Sequence, residues 1–306
     1  MTCYQNYIKN ILIVGLGGVG TVYANKIKSV GKFDLRILVD ESRYNKYKQS
    51  PRILNGEKCF FNYILPLDNF SADLVIITTK SNGLDKAIND IKNFLKKDTI
   101  IISLINGISS ESKIIRHYPD TFVIPAYVIC HSINRIGNEI THDGITKIVW
   151  GYNDNDMLII HQLKQFFKDS MIENEYSCNI QKSLWEKFCF NCCVNQLSVL
   201  YGFTFEQMWK DKICLVKMEK IAKEIDFLAK KVGLFDVDLV ASTFLNLYKM
   251  IPNGKTSMLQ DYENYRIPEL DLFGEEVLKL ADKYNIDLPE NKALYIDVKR
   301  KFSVYN

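Results

Sequence analysis

The feature that most constrains this chain is a glycine-rich turn near its amino end. Four apolar residues, Ile11 to Val14, predict a buried strand, and the next six have the pattern G-x-G-x-x-G before an apolar-periodic helix begins. There the first glycine permits a tight turn, the second lets the backbone approach a pyrophosphate, and the third lets the helix pack on the strand. Because a strand precedes the turn and a helix follows it, the pattern favours a Rossmann-type dinucleotide site over a merely structural turn, formed by Gly15, Leu16, Gly17, Gly18, Val19 and Gly20.

Apolar runs farther along the chain predict a parallel sheet of the α/β class. We expect strands at 35–39, 73–79, 99–105, 121–129 and 145–152, helices at 84–95 and 157–168, and a small β excursion at 49–70. Strands that alternate with helices imply right-handed crossovers. Beyond Ser177 the strand pattern disappears, so we expect a dinucleotide-binding domain over residues 1–178 and an all-helical domain over residues 179–306.

Three predicted strands end in residues that suit a ligand site. Gly15 follows the first strand, Lys80 follows the run DLVIITT, and Asn106 follows the run TIIISLI. Ligands of parallel α/β sheets bind beyond the carboxyl ends of the strands, so we expect these three residues at one edge. Taken singly, Lys80 is equally well explained as a solvated lysine, and Asn106 with Gly107 as a simple turn.

Two residues that follow the second predicted strand, one acidic and one basic, bear on the choice of nucleotide. Asp40 lies 20 residues beyond Gly20, where a carboxylate holds the ribose 2′-hydroxyl of NAD, whereas Arg43 suits the 2′-phosphate of NADP. Lys46 and Lys48 add positive charge and favour NADP(H), with NAD(H) possible. An acidic helix cap followed by ordinary surface lysines explains the same residues nearly as well.

Composition excludes several classes of protein. The 39 Lys and Arg against 36 Asp and Glu leave a formal charge of +3, too small to indicate nucleic acid or an anionic membrane as a partner. No apolar run approaches the roughly 20 residues of a membrane span, and no secretory signal is evident. The eight scattered cysteines, Cys3 included, therefore predict reduced thiols in a cytoplasmic protein. Cys189, Cys192 and Cys193 lack a second ligand pair, so we expect core packing and no metal site.

The helical second domain carries a polar stripe. Lys187, Asn191 and Asn195 are spaced four apart, so they share one narrow face of a helix whose other residues are mostly apolar. Polar groups in such surroundings need partners or a ligand, although an exposed polar face is the alternative. Farther on, Ser257 leads into a predicted helix and Glu269 lies near the next, and either residue suits a helix cap equally well.

Taken together, these motifs resemble the ketopantoate reductase (2-dehydropantoate 2-reductase) family. The resemblance rests on GLGGVG at 15–20, the lysine after DLVIITT, INGI at 105–108, LWEKFCFNCCVNQLS at 184–198, KTSMLQD at 255–261, Glu269, and LPEN at 288–291. It covers nearly the whole chain. Two positions depart from the family pattern: Gln196 stands where proline is common, and Asp40 with Arg43 replaces a frequent single arginine.

The resemblance implies NADPH-dependent reduction of 2-dehydropantoate to (R)-pantoate, a step toward pantothenate and coenzyme A. It implies that Lys187 is the general acid, that Glu269 is its partner carboxylate, and that Lys80 lies between cofactor and substrate. The substrate, a small 2-oxo acid, would be bound by Asn106, Asn191, Asn195 and Ser257, and Asn106 with Arg43 would also contact the cofactor. Another 2-oxo acid and a non-catalytic nucleotide sensor are the alternatives, and a homodimer is compatible with the sequence.

Overall fold

The chain forms two compact units, Met1–Ile180 and Gln181–Asn306. The computed structural model describes residues 7–130, 133–144, 146–152 and 156–303. The α/β class of the first unit and the helical character of the second are confirmed. Residues 1 and 306 at the outer ends of the predicted domains, Cys3, and the start of the predicted strand at Ile145 lie outside the described residues.

The first unit is built around six short parallel strands with helices between them. Its elements are β1 Asn10–Val14, α1 Gly18–Ser29, β2 Asp34–Leu38, α2 Glu41–Gln49, β3 Arg52–Leu54, β4 Glu57–Cys59, β5 Tyr63–Ile64, β6 Leu74–Ile77, α3 Leu84–Ile91, β7 Ile100–Ser103, α4 Ser110–His117, β8 Phe122–Ile124, β9 Ala126–Cys130, β10 Ile133–Ile136, β11 Glu139–His142, β12 Thr146–Trp150, α5 Met157–Ser170 and β13 Asn174–Tyr176.

The main sheet has the strand order β5-β2-β1-β6-β7-β8, and all of its pairs are parallel. This is the order of a dinucleotide-binding sheet, with β1 at the switch point between the two directions of winding. All four residues of β6 and of β7 are buried, as expected for strands covered on both faces. The sheet therefore brings the carboxyl ends of β1, β6 and β7 to one edge.

The segment between β2 and β6 is partly as predicted. The β excursion at 49–70 is confirmed: β3 and β4 form a hairpin through Asn55 and Gly56, both with positive φ, while β5 joins the main sheet. Helix α2 was not predicted, because its nine residues are nearly all polar and only Tyr47 is buried. The short helix α4 was missed as well.

The single strand expected at 121–129 is wrong. The chain breaks between β8 and β9 at Pro125, which has no N–H to donate to a strand ladder. As a result β8 ends the main sheet, whereas β9 pairs with β12 in a separate three-stranded sheet.

The second unit contains helices and no strand among its described residues. Its helices are α6 Ile180–Tyr201, α7 Phe205–Lys210, α8 Lys212–Val232, α9 Leu239–Tyr248, α10 Ser257–Glu263, α11 Glu276–Lys283 and α12 Pro289–Ser303, with a π-helical turn at Asp271–Glu275 leading into α11. Within the described part of the chain, no helix has the length and apolar character needed to cross a membrane.

Candidate functional site

The glycine turn between β1 and α1 is shaped by close backbone contacts. Gly15 has φ of +100°, and a Cβ added there would lie 2.7 Å from the backbone nitrogen of Thr79. A Cβ on Gly20 would lie 2.1 Å from the carbonyl oxygen of Gly15. Both positions therefore exclude any side chain. At Gly17, in contrast, no atom lies within 4 Å of the Cβ position. The open space at Gly17 is where a pyrophosphate would have to approach.

The start of α1 is also suited to an anion. Its N-cap is Gly17, which provides no side-chain cap, and the first turn contains no acidic residue. The first amides of a helix have no partner within it, so these N–H groups together with the helix dipole favour a phosphate. The side chain of Leu16 belongs to the core, and that of Val19 packs against it. The residues of the turn thus fit a bound dinucleotide.

Thr78 is a residue of this turn that sequence reasoning missed. Its hydroxyl donates to the Gly15 carbonyl oxygen at 2.6 Å, and its N–H donates to the Val14 carbonyl oxygen at 2.8 Å. Thr78 therefore fastens the glycine turn to the end of β6. The available signal was a pair of threonines that ends an otherwise apolar strand, but only the pairing of β1 with β6 brings them to the turn.

The two other strand-end residues lie beside the turn. Val14 is in register with Ile77, and Ile77 with Ser103, so the segments that follow β1, β6 and β7 leave the sheet side by side. Lys80 is exposed and precedes a 3-10 turn at Ser81–Gly83, while Asn106 is half-buried. Gly107 has φ of +95°, which supports the turn expected there. The ligand roles of Lys80 and Asn106 stay predictions.

Asp40 caps α2 and pairs with Arg43. One carboxylate oxygen accepts the Arg43 N–H at 2.8 Å, and the other accepts from the guanidinium Nη1 at 2.5 Å. The acidic cap that the sequence left as an alternative is therefore present. The Arg43 side chain is 58% exposed, and such surface ion pairs contribute about 0–1 kcal/mol, so the guanidinium is available to exchange partners.

In the second unit, the polar stripe lies along α6. Apolar neighbours surround it, and Phe188, Cys192 and Val194 are almost fully buried. Lys187 and Asn191 are half-buried, and Asn195 is only 4% exposed, so the stripe is not the solvated face that was the alternative.

The amides of this stripe lack protein partners. Neither Asn191 nor Asn195 makes a side-chain hydrogen bond to any described residue. Their amide atoms are not fully enclosed in the protein, so they are open to water or to a ligand. A carboxylate or hydroxyl of a small acid is a suitable acceptor and donor for these amides.

Ser257 and Glu269 occupy the starts of two other helical segments. Ser257 is the first residue of α10 and is exposed, and the N-cap is Thr256. Ser257 is thus not the cap, and within the described part of the chain its hydroxyl has no hydrogen bond. Glu269 is half-buried and lies just before the π-helical turn, where its backbone carbonyl accepts the N–H of Leu272 at 3.1 Å.

Gln196 connects α6 to the turn that follows Glu269. Its amide nitrogen donates to the carbonyl oxygens of Cys192 at 2.8 Å and of Phe273 at 3.0 Å. Phe273 belongs to the π-helical turn, and such turns occur frequently at functional sites. Gln196, which departs from the family pattern, therefore holds the carbonyl of Phe273, four positions after the predicted partner carboxylate Glu269.

The cysteine cluster of α6 belongs to the core. Cys189, Cys192 and Cys193 are fully buried, and burial raises the pKa of the Cys192 and Cys193 thiols well above the ordinary value. Thiols of this kind are unreactive. Among the described residues, no group of three or more His, Cys, Asp or Glu side chains is placed to hold a metal ion.

Known proteins resemble the chain along nearly its whole length. Residues 11–155 match the family model for ketopantoate reductase PanE/ApbA, and residues 179–301 match the model for its C-terminal part. A 2-dehydropantoate 2-reductase of Nostoc sp. strain PCC 7120 is 25% identical over 305 residues, which cover 94% of this chain and 93% of the relative. YkpB of Bacillus subtilis strain 168, an uncharacterized oxidoreductase, is 24% identical over 294 residues, covering 94% and 97%.

A solved structure shares the fold. D-mandelate dehydrogenase, in a ternary complex with NADH and anilino(oxo)acetate, has a TM-score of 0.86 to this chain at 21% identity, covering 97% of this chain and 99% of its own. At this identity the likeness concerns the fold.

Proposed function

This chain belongs to the ketopantoate reductase PanE/ApbA family of dinucleotide-dependent oxidoreductases, and we propose that it uses NADPH to reduce 2-dehydropantoate to (R)-pantoate. The observation that carries the proposal is the stripe on α6, where a lysine and two unpartnered amides lie among buried apolar residues. Such a set suits a small anionic substrate with a carbonyl to protonate. The product would enter pantothenate and coenzyme A synthesis in the cytoplasm, where the thiols of this chain would stay reduced.

The proposed chemistry divides between the two units. When bound, the nicotinamide supplies a hydride to the ketone carbon of the substrate. Negative charge then develops on the ketone oxygen, and the ammonium group of Lys187 stabilises that charge and donates a proton to it. Glu269 would hold the ammonium group or the substrate hydroxyl in place. Asn106, Asn191, Asn195 and Ser257 would orient the substrate, because efficient transfer requires a closely fixed geometry.

The cofactor would be held by the residues of the first unit. The amides at the start of α1 and the open space at Gly17 support a pyrophosphate there. Lys80 would contribute a positive charge near the reacting end of the cofactor, and Arg43 would bind the 2′-phosphate.

Steady-state kinetics test this proposal. Wild-type protein is expected to turn over 2-dehydropantoate with NADPH faster than any other compound in a panel of small 2-oxo acids. Lys187→Ala should lower kcat by about 10²–10⁴-fold, the usual contribution of general acid catalysis. Lys187→Arg separates proton donation from charge, because arginine keeps the positive charge but donates a proton poorly. This variant should therefore also be slow. Unchanged turnover in Lys187→Ala would remove Lys187 from the catalytic role.

The second candidate is reduction of a different 2-oxo acid. The D-mandelate dehydrogenase with the same fold was solved with anilino(oxo)acetate, so this fold does not determine the substrate. Faster turnover of another acid in the same panel would select this candidate. A non-catalytic nucleotide sensor is disfavoured, because Lys187 and Glu269 are both present, and it would bind dinucleotide without turnover of any acid in the panel.

A further inference from the structure

Two buried hydroxyl groups connect α6 to the start of α10. Ser198 lies on α6, three residues after Asn195, and Thr256 is the N-cap of α10, directly before Ser257. Both are buried, and their Oγ atoms are 2.6 Å apart. The pair therefore joins the two segments that carry Asn195 and Ser257.

The direction of each hydrogen bond follows from counting hydrogens. Ser198 donates its single hydroxyl hydrogen to the Asn195 carbonyl oxygen at 2.7 Å. The hydrogen between the two hydroxyls must then come from Thr256, whose oxygen also accepts the Leu259 N–H at 3.1 Å. The result is a continuous chain from the first turn of α10, through Thr256 and Ser198, to the backbone of α6. Both hydroxyl hydrogens are used in it.

We propose that Ser198 and Thr256 are positioning residues that fix the Ser257 hydroxyl relative to the Asn195 amide, so that one small 2-oxo acid contacts both. This inference rests on the proposed function, in which Asn195 and Ser257 bind the substrate. The neighbouring groups support it: Asn195 and Ser257 lack side-chain partners among the described residues, whereas the hydroxyls beside them are fully paired. The paired groups hold the backbone, and the Asn195 amide and the exposed Ser257 hydroxyl are open to a ligand.

A role confined to folding makes a different prediction. If the two hydroxyls only stabilise the second unit, their loss lowers the melting temperature, and any loss of activity is independent of Ser257. If they act through Ser257, their loss changes kinetics only while the Ser257 hydroxyl is present. Double-mutant cycles separate these cases.

The test uses Thr256→Val, which keeps the side-chain shape, and Thr256→Ser, which keeps the hydroxyl. With NADPH and the best 2-oxo acid, Thr256→Val should lower kcat/KM by up to about 100-fold, the cost of a misplaced binding group, while Thr256→Ser stays close to wild type. NADPH affinity should be unchanged in both variants. Adding Thr256→Val to Ser257→Ala should cause no further loss.

Three results overturn the inference. They are wild-type kcat/KM in Thr256→Val, equal losses in Thr256→Val and Thr256→Ser, and losses of Thr256→Val and Ser257→Ala that multiply in the double variant.

If Thr256→Val does not fold, Ser198→Ala replaces it in the same cycle, because it removes the acceptor of the Thr256 hydroxyl and leaves the α10 cap in place. A wild-type protein that reduces no 2-oxo acid refutes the proposed function, and the positioning role with it. Active wild type with multiplicative losses refutes the positioning role alone.

Discussion

Gly17 and Gly20 belong to one motif but have opposite surroundings. A Cβ at Gly20 would overlap the Gly15 carbonyl oxygen, whereas a Cβ at Gly17 would enter open space. Gly17 also has φ of −78° and ψ of −159°, an extended conformation that alanine adopts without strain. Gly20 is therefore required for packing, whereas Gly17 is proposed to let a ligand approach.

Alanine substitutions separate these purposes. If the pyrophosphate binds at Gly17, Gly17→Ala should keep the wild-type melting temperature but weaken NADPH binding by at least about tenfold, or 1.4 kcal/mol, because the methyl group would occupy its space. Gly20→Ala should lower the melting temperature, since a backbone atom must move. Thermal unfolding and a fluorescence titration with NADPH measure both effects. Wild-type NADPH affinity in Gly17→Ala would show that the cofactor does not approach this glycine.

At the scale of secondary-structure elements, Asp73 joins the amino ends of neighbouring strands. Its carboxylate accepts the backbone N–H groups of Lys9 and Asn10, each at 2.8 Å, and the Lys96 ammonium at 2.6 Å. Burial on its own would raise the pKa of this carboxyl, but the hydrogen bonds from Asn10, Lys96 and Lys9 outweigh it, so the pKa lies below its ordinary value of 3.8.

This lowered pKa predicts how stability depends on pH. A carboxyl with a lowered pKa in the folded state contributes its full stability above its unfolded pKa, and the contribution is lost as the pH falls through the folded value. Asp73→Asn should therefore cost about 1–3 kcal/mol in the free energy of unfolding at pH 7, and progressively less below about pH 4. Urea unfolding at pH 7 and pH 3 measures the difference.

Asp98→Asn is the matched control for Asp73→Asn, because Asp98 is half exposed and lies 3.7 Å from the same Lys96 ammonium. It should change stability little at either pH. Turnover should be unaffected in both variants, since Asp73 lies at the edge of the sheet opposite the glycine turn. A constant cost of Asp73→Asn between pH 7 and pH 3 would contradict the assignment.

Gln196 gives a prediction for the turn beside Glu269. Gln196→Leu has a similar volume but leaves the Phe273 carbonyl without its donor, at a cost of about 1–3 kcal/mol in the free energy of unfolding. If the π-helical turn positions Glu269, kcat should fall as well, with NADPH affinity unchanged. Gln196→Glu replaces the donor with a carboxylate facing the Cys192 and Phe273 carbonyl oxygens, so at pH 7 it should lower stability at least as much as Gln196→Leu. Wild-type stability and kcat in both variants would show that the contact has no such role.

Sequence reasoning succeeded where the signal was local. The glycine turn, the central strands and the stripe of α6 each follow from residues within about 20 positions of one another. It failed for α2, whose polar residues leave almost no apolar period, and for the strand broken at Pro125. Thr78, Ser198 and Thr256 could not have been found, because the contacts that give them a role join residues 58 to 64 positions apart. The roles assigned to the candidate site residues stay predictions.

At the scale of the whole molecule, the residues proposed to choose the cofactor and the residues proposed to act on the substrate belong to separate units. The residues proposed for nucleotide choice lie at the start of α2 in the first unit, whereas Lys187, the proposed general acid, lies on α6 in the second. Changes at Asp40 or Arg43 should therefore alter the ratio of NADPH to NADH use without altering which 2-oxo acid is preferred.

Arg43→Ala and Asp40→Asn test this separation with opposite expected effects. The cap of α2 uses the Arg43 backbone N–H, so Arg43→Ala removes the cation without removing the cap, and Asp40→Asn keeps a capping oxygen without the charge. If Arg43 binds the 2′-phosphate, Arg43→Ala should raise the KM for NADPH about tenfold, with little change for NADH. Asp40→Asn should lower the KM for NADPH, because it removes a negative charge near the phosphate, and should raise the KM for NADH. Kinetics with both nucleotides at saturating 2-oxo acid measure the four values. A preference for NADH in the wild type, lost in Asp40→Asn, would instead make Asp40 the ribose ligand and the protein an NADH enzyme.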